Sequence, residues 1–230
     1  MSEELNSQDV IKIVLLGESG VGKTNLINVA MGNEFDMNSA SSLSSSFTKG
    51  VYDTGNKKYT YFLWDTAGQE SYRSLTKIFI KNSKIVIFVY SVENYQSFKE
   101  LDYWINIAKE ELGDEPIFGI MGNKSDLVDI QEVNDDDAQQ YAKEHEMKIK
   151  FTSALADHKG VRNFLDELIL DYIKKIDPEN KGENINNNDN NIKLSPLKKV
   201  KKKEKILLIK LCLFFFFTLF CLLFRKKYYI

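Results

Sequence analysis

The chain has 230 residues, 43% of them hydrophobic, which suits one packed domain of about 170 residues followed by a tail. Its two cysteines, Cys212 and Cys221, both lie near the C-terminus, which excludes a disulfide scaffold and a cysteine metal site in the body. Residues 1–9 are acidic and polar, which excludes a secretory signal peptide, so we expect a cytosolic body.

Charge is distributed unevenly along the chain. Residues 1–176 carry 19 Lys and Arg against 28 Asp and Glu, a net charge of −9, whereas residues 177–230 carry 12 against 5, a net charge of +7. A basic tail on an acidic body favours an anionic partner such as a membrane surface, although a solvated charge run explains it equally well.

Apolar runs alternate with helical patterns through the first three quarters of the chain. In order, the predicted elements are a strand at residues 10–16, a helix at 23–31, a serine-rich loop at 39–46, strands at 47–54, 58–64 and 85–90, a helix at 93–112, a strand at 117–121, a helix at 135–146, a strand at 149–151 and a helix at 161–173. The dipeptide Gly55-Asn56 predicts a hairpin between the second and third strands. This alternation predicts an α/β fold, a doubly wound and mostly parallel six-stranded sheet with one antiparallel edge strand and helices on both faces.

The composition changes sharply after the predicted domain. We expect the following segments: a disordered N-terminus at residues 1–9, the domain at 10–176, a disordered Asn-rich linker at 177–197, a polylysine segment at 198–205 and a hydrophobic tail at 206–224. Ligands of such sheets bind at the carboxyl ends of the strands, so we expect the binding residues in the motifs that directly follow predicted strands.

The first such motif is the octapeptide GESGVGKT at residues 17–24, which fits the pattern G-x-x-x-x-G-K-[ST] between a strand and a helix. Its glycines allow backbone N–H groups to turn inward around an anion, and the helix N-terminus adds a positive dipole end. Lys23 is expected to reach the β- and γ-phosphates, and the Thr24 hydroxyl to bind magnesium. The motif predicts a P-loop for a nucleoside triphosphate.

A second motif, WDTAGQE at residues 64–70, follows the third predicted strand. Asp65 at the strand end suits magnesium coordination through water, and Gly68 allows a backbone N–H to approach the γ-phosphate. Gln69 is placed to orient an attacking water molecule. The pattern D-x-x-G is common by itself, but here it completes the site begun by Lys23.

A third motif, Asn123-Lys124-Ser125-Asp126, follows the predicted strand at residues 117–121 and indicates guanine recognition. The Asp126 carboxylate can accept two hydrogen bonds from the guanine edge, which adenine cannot offer, so the contact selects GTP over ATP. Asn123 would tie this loop to the P-loop, and the Lys124 stem would lie along the ring. After the last short strand, Thr152-Ser153-Ala154 can offer a backbone N–H to the guanine oxygen.

Together and in this order, the motifs GESGVGKT, WDTAGQE, GNKSD and TSA resemble those of the Ras superfamily of small GTPases, and within it the chain is most similar to the Rab family. The similarity covers residues 10–176. The likeness to Rab rests on Trp64, on the segment 72–76 and on the absence of an insertion after Asp126. The resemblance implies a GTPase in which Lys23 and Gln69 are catalytic. It also implies that Thr24, Ser42 and Asp65 bind the metal ion. It further implies nucleotide contacts from Ser19, Gly20, Val21, Gly22, Lys23, Thr24, Asn25, Phe35, Ser42, Gly68, Asn123, Lys124, Asp126, Ser153, Ala154 and Leu155.

The chain departs from the family pattern in the loop that the superfamily calls switch I. Ser42 stands where a threonine is usual, and Ser44 where a glycine is usual, so neighbouring serines could compete as magnesium ligands. Leu155 replaces a lysine after Ser-Ala. The resemblance also matches Phe47, Trp64 and Phe79 to an apolar triad that Rabs present to effectors, with ordinary core packing as the alternative.

By implication the chain is a Rab-like GTPase that cycles between GTP and GDP with Mg2+, hydrolyses GTP slowly and regulates vesicle-mediated membrane trafficking. We expect effectors, an exchange factor and an activating protein that supplies an arginine as partners, a monomer, and no nucleic-acid partner. Two alternatives stay open: a Ras-like signalling GTPase, and a GTP-binding scaffold with negligible turnover, which the altered switch I favours.

The tail lacks the C-terminal cysteines that are prenylated in Rabs. Three interpretations of residues 206–224 stay open: a tail-anchor helix of minimal length, an interfacial segment with Cys212 and Cys221 palmitoylated, and a translated stretch of AT-rich noncoding DNA. Each is compatible with attachment of the natural protein to the cytoplasmic face of an endomembrane through its C-terminus.

Overall fold

Six strands form one sheet in the residues that this computed structural model describes, namely 10–37, 46–66 and 76–178. The strands are β1 (Val10–Leu16), β2 (Ser46–Asp53), β3 (Lys58–Asp65), β4 (Ile85–Ser91), β5 (Ile117–Asn123) and β6 (Lys148–Phe151). The helices are α1 (Lys23–Ala30), α2 (Thr76–Ile80), α3 (Tyr95–Lys99), α4 (Leu101–Leu112), α5 (Asp135–Glu144) and α6 (His158–Ile176), with a 3-10 turn at Val128–Ile130.

The strand order is β2-β3-β1-β4-β5-β6, with β2 antiparallel to β3 and every other neighbouring pair parallel. Side chains of β1 alternate between two cores: Ile11, Ile13 and Leu15 pack with α1 and α6, whereas Val14 and Leu16 pack with α2, α4 and α5. The predicted doubly wound α/β fold is therefore confirmed. Because the parallel strands share one direction, the loops after β1, β3, β4, β5 and β6 meet at one edge.

The prediction of a single helix at residues 93–112 is wrong, because α3 and α4 are separate helices. Asn94 caps α3, and its side chain accepts a hydrogen bond from the Ser97 N–H at 3.0 Å. Glu100, with φ −71° and ψ −5°, interrupts the helix before Leu101. The chain therefore leaves Glu93 outside the helix, near the end of β4.

The remaining predicted elements are present, with ends that differ by at most three residues. The predicted hairpin turn holds Gly55 at φ +84°, and the Asp53 carboxylate accepts its N–H at 2.9 Å. Helix α2 and the 3-10 turn were not predicted. The segments at residues 1–9, 177–197, 198–205 and 206–224 stay predictions, since all but residues 177 and 178 lie outside the described part.

In the described part of the chain, no helix combines the length and the apolar character needed to span a membrane. The hydrophobic segment at residues 206–224 lies outside the described part.

A largely buried ion pair on α6, with side chains 16% and 18% exposed, joins the helix to the sheet and to α1. The Arg162 guanidinium contacts both oxygens of Asp166, with Nε–Oδ2 2.9 Å and Nη2–Oδ1 2.8 Å. Its Nη1 also donates to the Tyr61 hydroxyl at 2.8 Å and to the Ala30 carbonyl at 3.1 Å. Burial raises the pKa of Asp166 even though the charge of Arg162 opposes the shift. The carboxylate thus depends on this arginine to stay ionised in the interior.

Replacing Arg162 with methionine is expected to lower the free energy of unfolding by about 3–5 kcal/mol, because it leaves Asp166 buried without its counter-charge. Urea unfolding would measure the loss. The double variant Arg162→Met/Asp166→Leu should recover most of it, since no buried charge remains. A double variant as unstable as the single one would show that the bonds to Tyr61 and Ala30 carry the stability instead.

Candidate functional site

The loop between β1 and α1 wraps its backbone around the start of the helix. Gly17 packs so closely against β4 that a Cβ there would lie 2.1 Å from the Val89 carbonyl oxygen. Gly22 is the N-cap of α1 and has φ +96°, a conformation that side-chain-bearing residues rarely adopt. Only glycines give the loop this path, so the P-loop pattern has a direct steric basis.

Lys23 is the buried cation of this loop. Its Nζ donates to the Gly17 and Glu18 carbonyls, each at 2.8 Å. Burial lowers the pKa of Lys23 to about 8, against the opposing effect of the Asp65 and Glu18 charges. A lysine desolvated in this way gains strongly from a nearby anion, as a phosphate would be.

Two oxygen ligands face each other between α1 and the end of β3. The Thr24 hydroxyl donates to Asp65 Oδ2 at 2.8 Å, and Asp65 is only 5% exposed. The Thr66 hydroxyl donates to the Leu15 carbonyl at 2.7 Å and fixes the strand end there. A hydroxyl and a carboxylate are hard oxygen donors of the kind that Mg2+ prefers, so these residues fit that ion.

Asn123 at the end of β5 connects three loops. Its Nδ2 donates to the Val21 carbonyl at 2.8 Å, and its Oδ1 accepts the Ala154 N–H at 3.1 Å. The residue is 1% exposed, so both bonds are shielded from water. Val21 itself is buried, outside the cavity described below, and contributes through this carbonyl.

The Ser153 hydroxyl fixes the orientation of Asp126. It accepts the N–H groups of Leu155 at 3.1 Å and Ala156 at 2.9 Å, which directs its own proton to Asp126 Oδ1. The Asp126 carboxylate is thereby held at the rim of the cavity, with one oxygen engaged by the protein.

Lys124 has a partner that the sequence analysis missed. Its Nζ lies 2.6 Å from Oε1 of Glu93, and the Ser91 hydroxyl donates to the other carboxylate oxygen. Burial by itself raises the pKa of Glu93, but the bonds from Lys124 and Ser91 outweigh it and hold that pKa below its usual value. Ser91 and Asn123 are register partners on β4 and β5, so the contact follows from the pairing of these strands, which no local motif indicates.

These groups surround one cavity of about 390 Å³. Its lining includes thirteen of the predicted nucleotide contacts, namely Ser19, Gly20, Gly22, Lys23, Thr24, Asn25, Phe35, Asn123, Lys124, Asp126, Ser153, Ala154 and Leu155. Met37, Thr66 and Leu127 also line it and were not predicted. The predicted residues Ser42, Gly68 and Gln69 lie outside the described residues.

The segment that carries Phe35 is held by Asn25. The Asn25 side chain donates to the Asp36 carbonyl at 3.1 Å and accepts the Asp36 N–H at 3.3 Å. This two-way contact places the half-buried Phe35 ring at the wall of the cavity.

The structure brings together two of the three aromatic residues matched to an effector surface. The rings of Phe47 and Trp64 lie 5.1 Å apart as register partners on β2 and β3, and Phe47 is 42% exposed. Lys12 Nζ lies 4.7 Å from the Trp64 ring centre. Phe79 is half-buried on α2, and the described ring contacts of Phe47 are with Phe62 and Trp64.

Comparison with known proteins agrees with this geometry. The Ras family model matches residues 12–175, which span the strands, the P-loop and the base loops. The chain belongs to the Ras family. As a Ras-family member it is a small GTPase, an enzyme that hydrolyses GTP to GDP and phosphate.

Among curated relatives, this Ras-family chain is similar to proteins of the Rab branch. It is 34% identical over 180 residues to the Ras-related protein Rab-11B of Dictyostelium discoideum, covering 78% of this chain and 82% of the relative. It is 39% identical over 165 residues to Rab-21 of Geodia cydonium, covering 72% and 70%. It is 33% identical over 155 residues to the GTP-binding protein ypt3 of Schizosaccharomyces pombe, covering 67% and 72%. The predicted likeness to Rab is thus confirmed, and regulators and effectors are the general kind of partner for such a protein.

Proposed function

We propose that this Ras-family chain binds GTP and GDP with Mg2+ in the cavity, and cycles between the two nucleotide states. The observation that carries the proposal is the Asn123 side chain, which bonds to the P-loop at Val21 and to the base loop at Ala154. Phosphate-binding and base-binding groups therefore form one site of nucleotide size. The similarity to the GTP-binding protein ypt3 supports this assignment.

Different residues of the site would have different roles in GTP hydrolysis. Water attacks the γ-phosphorus, the bond to the β,γ-bridging oxygen breaks, and GDP leaves with inorganic phosphate. Lys23 and the P-loop N–H groups stabilise the charge that develops on the phosphate oxygens, and Gln69 orients the water. Thr24 and Asp65 would hold the magnesium ion, with Ser42 as a further ligand; the ion supplies positive charge at the phosphates.

We assign the cycle to vesicle-mediated membrane trafficking, at the cytoplasmic face of an endomembrane. The support is the similarity to Rab-named relatives, together with the basic residues 198–205 and the apolar residues 206–224 as a membrane-directed tail. We expect the γ-phosphate to order the loops at residues 36–46 and 66–76, of which 38–45 and 67–75 lie outside the described residues, and hydrolysis to release them, which would give effectors two states to distinguish.

Gln69→Leu is expected to slow single-turnover hydrolysis about tenfold or more while GTP affinity stays within a factor of about two, because leucine cannot orient water. The assay uses the purified full-length protein with Mg2+. Gln140→Leu is the matched control, since Gln140 is exposed on α5 and does not line the cavity. Tight GTP binding with no turnover in the wild type or in Gln69→Leu would favour the scaffold function.

The wild-type rate should itself be low, because the predicted switch I loop offers no arginine to the γ-phosphate. An activating protein that inserts an arginine is expected to accelerate hydrolysis by about 10³–10⁵-fold. A fast rate in the absence of any partner would contradict this part of the proposal.

A further inference from the structure

The carboxylate of Glu93 is held in one orientation just behind the cavity wall. Oε1 lies 2.6 Å from Lys124 Nζ, and Oε2 accepts the Ser91 hydroxyl. The side chains of Lys124 and Glu93 are 31% and 22% exposed, so the pair is largely shielded from water. Lys124 lines the cavity and Glu93 does not, which means that Glu93 can act on a ligand only through Lys124.

The backbone around this pair is fixed by the sheet. The Val92 N–H donates to the Asn123 carbonyl at 3.0 Å, one step beyond the register pair Ser91 and Asn123. Lys124 has φ +64°, a left-handed conformation that a residue with a side chain seldom adopts, and its carbonyl accepts the Leu127 N–H at 2.9 Å. The Lys124 backbone is therefore held in place, while its long side chain gains a fixed direction from Glu93.

We propose that Glu93 is a positioning residue that holds the Lys124 stem against the base of a bound guanine nucleotide and thereby slows nucleotide release. This inference rests on the proposed function, because it requires a guanine nucleotide in the cavity. A free lysine side chain has many rotamers and loses that entropy when it packs on a ligand. The ion pair restricts the side chain before the nucleotide arrives, so less entropy is lost on binding.

The effect is confined to the base half of the site. Among the described residues, no hydrogen bond or ion pair joins Glu93 to Lys23, Thr24 or Asp65, which would bind the phosphates and the metal. Removing the carboxylate should therefore change how long a nucleotide stays bound and leave unchanged the rate at which bound GTP is hydrolysed. It should also leave unchanged the binding of ribose 5′-triphosphate, which has phosphates but no base.

The test compares Glu93→Ala and Glu93→Gln in the full-length protein by the dissociation rate of a fluorescent GDP analogue with Mg2+ present. We expect release to be about tenfold faster in Glu93→Ala, which loses a charged hydrogen bond. Glu93→Gln should lie between it and the wild type, because its amide oxygen still accepts from Lys124. Single-turnover hydrolysis and the affinity for ribose 5′-triphosphate should stay within a factor of about two.

Glu167→Gln is the matched control. Glu167 pairs with Lys148 at the same distance of 2.6 Å, but on α6 and β6, away from the cavity lining. Its exposed ion pair should contribute little, so GDP release should be unchanged. Unchanged GDP release in both Glu93 variants, with tight binding in the wild type, would overturn this inference and leave the proposed function standing. A wild type that binds no guanine nucleotide would overturn both.

Discussion

Asp126→Asn is expected to weaken GDP binding by about a hundredfold or more and to create measurable binding of xanthosine diphosphate. The carboxylate only accepts hydrogen bonds, as the N–H groups of guanine require, whereas an amide presents one acceptor and one donor. Xanthine carries a carbonyl oxygen in place of the guanine amino group, so it needs that donor. Sites built from buried polar groups reject the wrong partner by large factors.

The structure predicts which way the new amide will point. The Ser153 hydroxyl receives two N–H groups and directs its proton to Asp126 Oδ1, so in the variant the amide oxygen should take that position. The amide nitrogen is then left to face the base. Titration with GDP and xanthosine diphosphate would measure both affinities.

Asp129→Asn serves as the control for this exchange of specificity. Asp129 lies three residues further on, exposed in the 3-10 turn and outside the cavity lining, so its substitution should alter neither affinity. If Asp126→Asn bound GDP as tightly as the wild type, the base would be read by other groups.

Gly22→Ala is expected to weaken GDP binding by about a hundredfold and to lower the melting temperature. Gly22 has φ +96°, and a Cβ there would lie 2.3 Å from Nδ2 of Asn123. The added methyl group therefore strains the backbone and pushes away the side chain that joins Val21 to Ala154. Backbone strain of this kind costs about 1–2 kcal/mol, and the loss of two buried hydrogen bonds adds to it.

Gly55→Ala separates these two causes. Gly55 has φ +84°, and a Cβ there would meet nothing within 4 Å. It should lower the melting temperature through strain but leave GDP affinity unchanged, because the hairpin turn precedes β3, whereas the cavity residue Thr66 follows the opposite end of that strand. Calorimetry and nucleotide titration on both variants would test this. Equal GDP affinity in the two variants would mean that the Asn123 bridge does not organise the site.

Most of the fold could be predicted from local sequence patterns, because each strand has an apolar or alternating run of its own. All seven residues of β4 are buried, as the unbroken apolar run from Ile85 indicates for a central parallel strand. The sequence contains no comparable signal for the break between α3 and α4. Phe98, Leu101 and Ile105 keep the same helical spacing across Glu100, so the apolar stripe continues where the helix does not.

The site residues also fall into two groups. Some stand in contiguous motifs and could be predicted, whereas others depend on partners distant in the sequence. Lys23, Thr24 and Asp126 stand in short motifs whose spacing reflects one loop, and they were identified from those motifs. The contact between Glu93 and Lys124 joins residues 31 apart, and the bond from Arg162 to the Ala30 carbonyl joins residues 132 apart. Such contacts depend on strand register and helix packing, which no single stretch of sequence contains.

The bond between Asn123 and Val21 also constrains the order in which a newly made chain can mature. It spans 102 residues, whereas the hairpin of β2 and β3 closes locally. At a synthesis rate of about 5–20 residues per second, the ribosome needs roughly 5–20 s to add the chain between the two partners. During that interval the phosphate loop has emerged but lacks the side chain that fixes it. Under the proposed function, nucleotide capture that needs this bond would wait until β5 has joined the sheet.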